Sequence, residues 1–211
     1  VATGQREFVL RGSGSILETC AGLEFEISSR SFFQTNPVQA GKLYGLVGKL
    51  ASEIEASQVL DLYCGVGAIS LFLARRARFV TGVELEAEAV ANARENANRN
   101  GITNCDFISG RVEEVMAQFC SARRQFDVIV LDPPRAGVHE KALEALVNLG
   151  SKTVIYVSCN PISLGKDLRF LTKAGFCLDS VYPVDMFPQT YHIECVANLR
   201  YAGESNRSMS S

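Results

Sequence analysis

Residues able to make or break covalent bonds collect at a few points of this chain, each just past a run of Val, Ile and Leu. The run 153–157 ends in Ser158-Cys159-Asn160-Pro161. A cysteine just past a strand and near a helix N-terminus sits where a thiol pKa is lowered and the sulfur exposed, and a thiolate is a strong nucleophile. A helix dipole contributes only about 0.3–1 kcal/mol, so a further activating group is expected. A small residue packing a turn would look the same. Further on, Tyr191-His192-Ile193-Glu194-Cys195-Val196 reads as strand, with His192, Glu194 and Val196 on one face. Glu194 is then either an edge charge in water or a partly desolvated acid, whose raised pKa suits a general base near neutral pH.

Three more groups recur at the same kind of place. Asp61 and the turn Tyr63-Cys64-Gly65-Val66-Gly67 follow the run 59–62. Glu84 follows 79–83, and Asp132-Pro133-Pro134-Arg135 follows 126–131. Gly65 and Gly67 let the backbone approach a ligand closely. Ser70 takes the place of the third glycine of G-x-G-x-x-G, so this could equally be a tight strand–helix turn. Glu84 could accept hydrogen bonds from both hydroxyls of a ribose, or be a solvated strand-end charge. Turn and acid together suggest an adenosine-containing cofactor, either S-adenosylmethionine or a nicotinamide dinucleotide. The two prolines, with fixed φ, hold Asp132 at the site edge, and Arg135 can pair with a phosphate or with Asp132 itself.

The elements that must position these residues alternate. Helices are expected at 38–54, 68–76, 86–100, 111–119, 141–149 and 162–174, and strands at 59–62, 79–83, 105–108, 126–131, 153–157, 176–182 and 192–199. Apolar strands separated by helices indicate an α/β fold, a mostly parallel sheet with helices on both faces. The last two strands lack a helix between them and predict an antiparallel edge pair. Ligands of such sheets bind outside the carboxyl ends of the strands, where all the residues above fall. Residues 8–11 and 23–27 suggest a small hairpin, giving a connector region over 1–30, a main domain over 31–202 and a polar, disordered tail over 203–211.

Composition narrows the function classes. A net charge of −2 gives no overall electrostatic case for nucleic acid. Seven cysteines without a C-x-x-C pair read as reduced, mostly buried thiols of an intracellular protein, with no zinc or cluster pattern and no metal expected. The expected setting is the cytoplasm, or an organelle if a targeting signal preceded Val1. No stretch approaches the roughly 20 apolar residues of a membrane span.

Taken together, Ser31-Phe32-Phe33-Gln34-Thr35-Asn36, Leu60 to Gly67, Asp132-Pro133-Pro134-Arg135, Ser158-Cys159-Asn160-Pro161 and His192-Ile193-Glu194 resemble the RNA 5-methyluridine methyltransferases, in that family's order and over about residues 16–199. The resemblance implies a Rossmann-like class I methyltransferase fold. It also implies S-adenosylmethionine as cofactor, and rRNA or tRNA as partner. It makes Cys159 the nucleophile that adds to carbon 6 of a uridine and Glu194 the base. Gln34, Tyr63, Glu84 and Asp132 become the cofactor-holding positions, beside Gly65 and Gly67. Phe32, Phe33 and Phe187 are candidates for stacking on the target base, or core residues.

The chain departs from the family in two respects. It shows no N-terminal RNA-binding barrel or central domain, so it reads as the catalytic part of a monomer normally joined to such domains. After the third strand it has Ser109-Gly110-Arg111-Val112-Glu113, without the usual acid or amide for an adenine. Competing readings are a cofactor- or RNA-binding module without turnover, a small-molecule methyltransferase and, third, an NAD-dependent enzyme.

Overall fold

The computed structural model describes residues 14–29 and 31–203, together with Phe8, Arg11 and Gly12. In chain order the elements are β1 (Ser15–Cys20), β2 (Leu23–Ser28), α1 (Pro37–Ser52), β3 (Gln58–Leu62), α2 (Ala68–Ala74), β4 (Phe79–Glu84), α3 (Ala87–Arg99), β5 (Cys105–Ser109), α4 (Val112–Ser121), β6 (Val128–Leu131), α5 (Glu140–Leu149), β7 (Thr153–Ser158), α6 (Pro161–Lys173), β8 (Phe176–Val184) and β9 (Glu194–Tyr201).

Seven strands form one sheet in the order β5-β4-β3-β6-β7-β9-β8. Neighbours from β5 to β7 run parallel, and β9 runs antiparallel to both β7 and β8. The expected antiparallel pair is therefore present, with β9 slotted inside it and β8 on the edge. The central strands are near-continuous apolar runs because both faces are covered. Helices α1, α2 and α3 pack over Val59, Val80, Val130, Ile155 and Val196. Helices α4, α5 and α6 pack over Leu60, Val83, Leu131, Tyr156 and Leu199. This is the three-layer Rossmann-like arrangement.

The hairpin differs from expectation. Its strands are β1 and β2, paired from Ser15↔Ser28 to Cys20↔Leu23, while Val9 and Leu10 lie outside the described residues, as do 204–211 of the expected tail. The turn is Ala21-Gly22, with φ of 52° and 76°. Positive φ at both central positions matches the twist of a two-residue hairpin, a signal that the alanine hides.

Helix α3 docks this hairpin with an asparagine ladder. Asn96 Oδ1 accepts from the Glu26 amide at 2.7 Å, and its Nδ2 donates to the carbonyls of Glu26 and Val66, both at 3.2 Å. One helical turn on, Asn100 accepts from the Glu24 amide at 3.0 Å and donates to the Glu24 carbonyl at 2.7 Å. Asn92 donates to the hydroxyls of Ser28 and Ser31. The i, i+4 spacing puts these side chains on one face, where they imitate a third strand edge.

Asn96 is fully buried, and truncation would leave its backbone partners unsatisfied. Asn96→Ala is expected to lower stability by about 1–3 kcal/mol, read from urea unfolding. A loss within a few tenths of a kcal/mol would remove the ladder as the docking device.

Candidate active site

The strand order reverses around β3, whose neighbours are β4 on one side and β6 on the other. The carboxyl ends at such a switch point splay apart and leave a crevice. A cleft lies there, lined by Phe32, Gln34, Tyr44, Asp61, Tyr63 and Asp132, with Gly65 at its rim. Its enclosed part is small, about 40 Å³. A larger hollow of about 470 Å³ opens at the amino end of β3, between α1 and α2. None of the side chains around that hollow is an unpaired buried acceptor. The cleft, by contrast, contains two: Gln34 Oε1 and Asp61 Oδ1 have no hydrogen-bond partner.

Local backbone explains the shape of the cleft. Tyr63, Gly65 and Gly67 all have positive φ, 65°, 54° and 82°. For tyrosine this is a strained conformation, worth of the order of 1–3 kcal/mol, and such outliers concentrate at ligand sites. A Cβ on Gly67 would come within 3.0–3.1 Å of Phe107 and Ala93, so the third turn residue must be glycine for packing as well. Glu84 Oε2 accepts from the Gly65 amide at 3.1 Å and Oε1 from the Glu86 amide at 3.0 Å. The carboxylate is thus oriented by backbone, with further lone pairs facing out. Ser70, at the absent third glycine, donates to Asp61 Oδ2 at 2.5 Å.

Cys159 and Glu194 come together through β-pairing. Ser158 is the register partner of Cys195, which brings the end of β7 beside the start of β9, and Glu194 lies close enough to act on the Cys159 thiol. Glu194 is 3% exposed, and its Oε2 lacks a partner. Burial pushes its carboxyl up to about 7, against a smaller downward pull from Arg135. Asp132 is pushed up to about 8 by burial, Glu194 and Asp61, and Asp61 to about 7 by burial, partly offset by Ser70. The partly exposed Cys159 thiol is raised, first by burial and then by Glu194, while the Arg135 side chain favours the thiolate. The direction is opposite to the lowered thiol pKa expected from the helix N-terminus, because burial and the Glu194 carboxyl both disfavour the thiolate.

Two loops are stitched together beside the thiol. Asn160 caps α6 by accepting from the Ile162 amide at 3.1 Å, and its Nδ2 donates to the Arg135 carbonyl at 3.0 Å. Buried Asp167 on α6 accepts from the Val138 amide at 2.8 Å and the Tyr156 hydroxyl at 2.6 Å. The Arg135 guanidinium contacts His192 Nδ1 at 2.6 Å, so its hydrogen-bond partner is His192 rather than Asp132, and the side chain also acts on the Cys159 thiol. Asn36, the cap of α1, donates to the Met186 carbonyl at 3.1 Å, which holds the Gln34 loop against the β8–β9 connection.

Several expectations are corrected. His192 does not share a strand face with Glu194, because β9 begins at Glu194. A turn closes before it: the Thr190 amide donates to the Phe187 carbonyl, and the His192 amide to Thr190 Oγ1. Cys177 is exposed on the edge strand, whereas Cys20, Cys64 and Cys195 are buried. Sequence reasoning placed Asp61 at a strand end without assigning it to the site, quoted Asn160 and His192 within motifs without giving either a role, and did not find Tyr44 or Asp167. Asp167 was visible in principle, since it shares a helical face with Leu164 and Leu171.

Fold and cleft together define a class, the Rossmann-like methyltransferases. The family model described as tRNA (Uracil-5-)-methyltransferase matches residues 19–201, and the chain belongs to that family. An uncharacterized RNA methyltransferase of Clostridium tetani is 46% identical over 192 residues, 91% of this chain and 41% of that protein. One of Oceanobacillus iheyensis is 45% identical over 199 residues, 94% of this chain and 43% of that protein. The chain spans less than half the length of these relatives. Among solved structures, the Pyrococcus abyssi tRNA (uracil-54, C5)-methyltransferase, in complex with S-adenosyl-L-homocysteine, aligns with a TM-score of 0.78 and 34% identity. The alignment covers 90% of this chain and 45% of that one. An rRNA methylase from Streptococcus thermophilus, at 15% identity and a TM-score of 0.60 over 74% of this chain and 94% of that one, shares the fold. No helix among the described residues is long and apolar enough to cross a membrane.

The raised carboxyls carry a pH signature. Folded Glu194 keeps its proton to about pH 7, against an ordinary value of 4.5, so folding loses stability as pH rises through that window and then levels off. Glu194→Gln is expected to gain stability relative to the unsubstituted chain between about pH 5 and pH 8, by of the order of 1–3 kcal/mol. Urea midpoints at both pH values check this, and a pH-independent difference would contradict it.

Proposed function

We propose that this chain transfers a methyl group from S-adenosylmethionine to carbon 5 of a uridine in rRNA or tRNA, through a transient bond between Cys159 and carbon 6. The observation that carries the reading is the Cys159 thiol, just past β7, within electrostatic reach of the unpaired, buried Glu194 carboxyl at the start of β9. Residues 31–202 would form the methyltransferase domain, with 1–30 as connector.

The cleft chemistry fits the cofactor. Asp61, Asp132 and Glu194 push one another's pKa upward or are raised by burial, and such a set is complementary to a cationic ligand. Unpaired Gln34 Oε1 and Asp61 Oδ1 offer acceptors to an ammonium-bearing amino-acid group. Glu84 offers its free lone pairs to ribose hydroxyls, and Tyr63, Gly65 and Gly67 shape the turn beside it. The enclosed space suits a small head group, with the nucleoside along the open rim.

The residues supply what uracil lacks. Carbon 5 is too weak a nucleophile to be methylated unaided. Addition of the Cys159 thiolate to carbon 6 breaks the 5,6 double bond and moves its electron pair into an enolate, so that carbon 5 becomes nucleophilic. S-adenosylmethionine, when bound, would supply the electrophilic methyl group, its sulfur–methyl bond breaking as the carbon 5–methyl bond forms and S-adenosylhomocysteine leaving. Glu194, partly ionised near neutral pH, then takes the proton from carbon 5. The C–H electron pair re-forms the double bond, and the carbon–sulfur bond breaks to return the thiolate. The target base must leave its stack, at a cost of a few kcal/mol. Exposed Phe32 is then available to stack on it, whereas Phe33 and Phe187 pack against the core.

Cys159→Ala is expected to lower methylation by at least about a thousandfold and to form no adduct with RNA containing 5-fluorouridine, whose fluorine blocks the last step. Glu194→Gln should accumulate adduct on ordinary RNA and turn over about 10²–10⁴-fold more slowly. Denaturing gels and tritium transfer read both. An adduct that survives Cys159→Ala refutes the nucleophile. Binding of S-adenosylhomocysteine without methylation of any RNA would favour a binding module.

A further inference from the structure

Cys159 has a problem that the mechanism leaves open. Its thiol must ionise while close to Glu194 on β9 and near Asp132 at the end of β6, both of which oppose the thiolate. The Arg135 side chain is the cation that favours it. Arg135 is exposed, however, and a free guanidinium at a surface spends much of its time in water. An unrestrained surface charge contributes little.

The surroundings restrain it at two points. Its backbone is fixed by the two prolines before it and by the hydrogen bond from Asn160, next to the nucleophile. Its guanidinium is held at 2.6 Å by His192 Nδ1. His192 also contacts two rings: Tyr191 at 4.2 Å between centroids and Phe187 at 6.2 Å, edge-on. Arginine has no acceptor, so the bond exists only while Nδ1 carries no proton and the hydrogen sits on Nε2.

We propose that His192 is a positioning residue: by accepting a hydrogen bond from Arg135 it keeps the guanidinium against the Cys159 thiol and so sets how readily that thiol ionises. The inference rests on Cys159 as the nucleophile, but the clamp itself is a property of the protein without RNA. The titratable groups in reach of the pair are Cys159 and Glu194, on which Arg135 acts, and Tyr191, whose ring lies against His192.

The test is alkylation of Cys159 by iodoacetamide across a pH series, read on the Cys159 peptide by mass spectrometry, which separates it from the other six cysteines. No RNA or cofactor is present. His192→Ala is expected to slow alkylation near pH 7 about three- to tenfold, the change in thiolate fraction for roughly half to one unit of pKa, and to move the profile to higher pH. His192→Gln, which keeps an acceptor, should restore most of the rate. In an Arg135→Ala background His192→Ala should have no further effect, because the two act through one contact. An unchanged profile in His192→Ala, no rescue by glutamine, or full additivity with Arg135→Ala each overturns the clamp. Circular dichroism and thermal melting confirm that each variant is folded before it is scored. Methylation assays of the same variants keep the two ideas apart. A shifted profile without any RNA methylation leaves the clamp standing and removes the function, and methylation with an unshifted profile does the reverse.

Discussion

The site depends on one pairing constraint, the insertion of an antiparallel strand between two parallel ones. Because β9 runs against β7 with Ser158 opposite Cys195, the end of one strand meets the start of the other. Cys159, the first residue past β7, is thereby brought close to Glu194, the first residue of β9. A slip of one residue would turn Glu194 to the opposite face of the sheet. Register is secured by the strand's own burial: Val196 packs into one core layer and Cys195, Ala197 and Leu199 into the other, so every neighbouring register places a wrong side chain in a filled space.

Electrostatic imbalance is the second organising feature. Asp61, Asp132 and Glu194 all have raised pKa values, and two of them retain an unpaired buried oxygen. A structural carboxyl would be expected to find its donors within the fold, as Asp167 does with Val138 and Tyr156. The contrast between a satisfied buried acid on α6 and unsatisfied ones at the strand ends separates scaffold from site. Arg135 is the nearby cation that acts on both Glu194 and Cys159, and its anchoring through Asn160 and His192 ties the two loops into one unit.

Cysteine content alone does not distinguish the seven thiols from one another. Burial removes several: Cys64 is pushed well above the ordinary thiol value by burial beside Asp61 and Glu84, and Cys105 is pushed up to about 12. Cys177 is exposed but lies on the edge strand β8, away from the carboxyl ends of β3, β6 and β7. Cys159 combines partial exposure, a nearby carboxyl and an arginine.

Much of this was written locally. The alternation of apolar runs with helical segments determined the three-layer fold, because strands covered on both faces need continuous Val, Ile and Leu. The placement of Asp61, Glu84, Asp132 and Cys159 just past those runs determined that they would share one end of the sheet. What the sequence did not determine was anything set by contacts between distant segments. The turn at Ala21-Gly22, the asparagine ladder of α3, the position of β9 between its neighbours and the displacement of His192 from the strand all arise from hydrogen bonds spanning segments or from turn dihedrals. Local composition is blind to these. The direction of the Cys159 pKa shift belongs with them: the helix N-terminus was visible in the chain, but the opposing carboxyl arrives from 35 positions away, and the burial and charge that raise the thiol exist only in the folded chain.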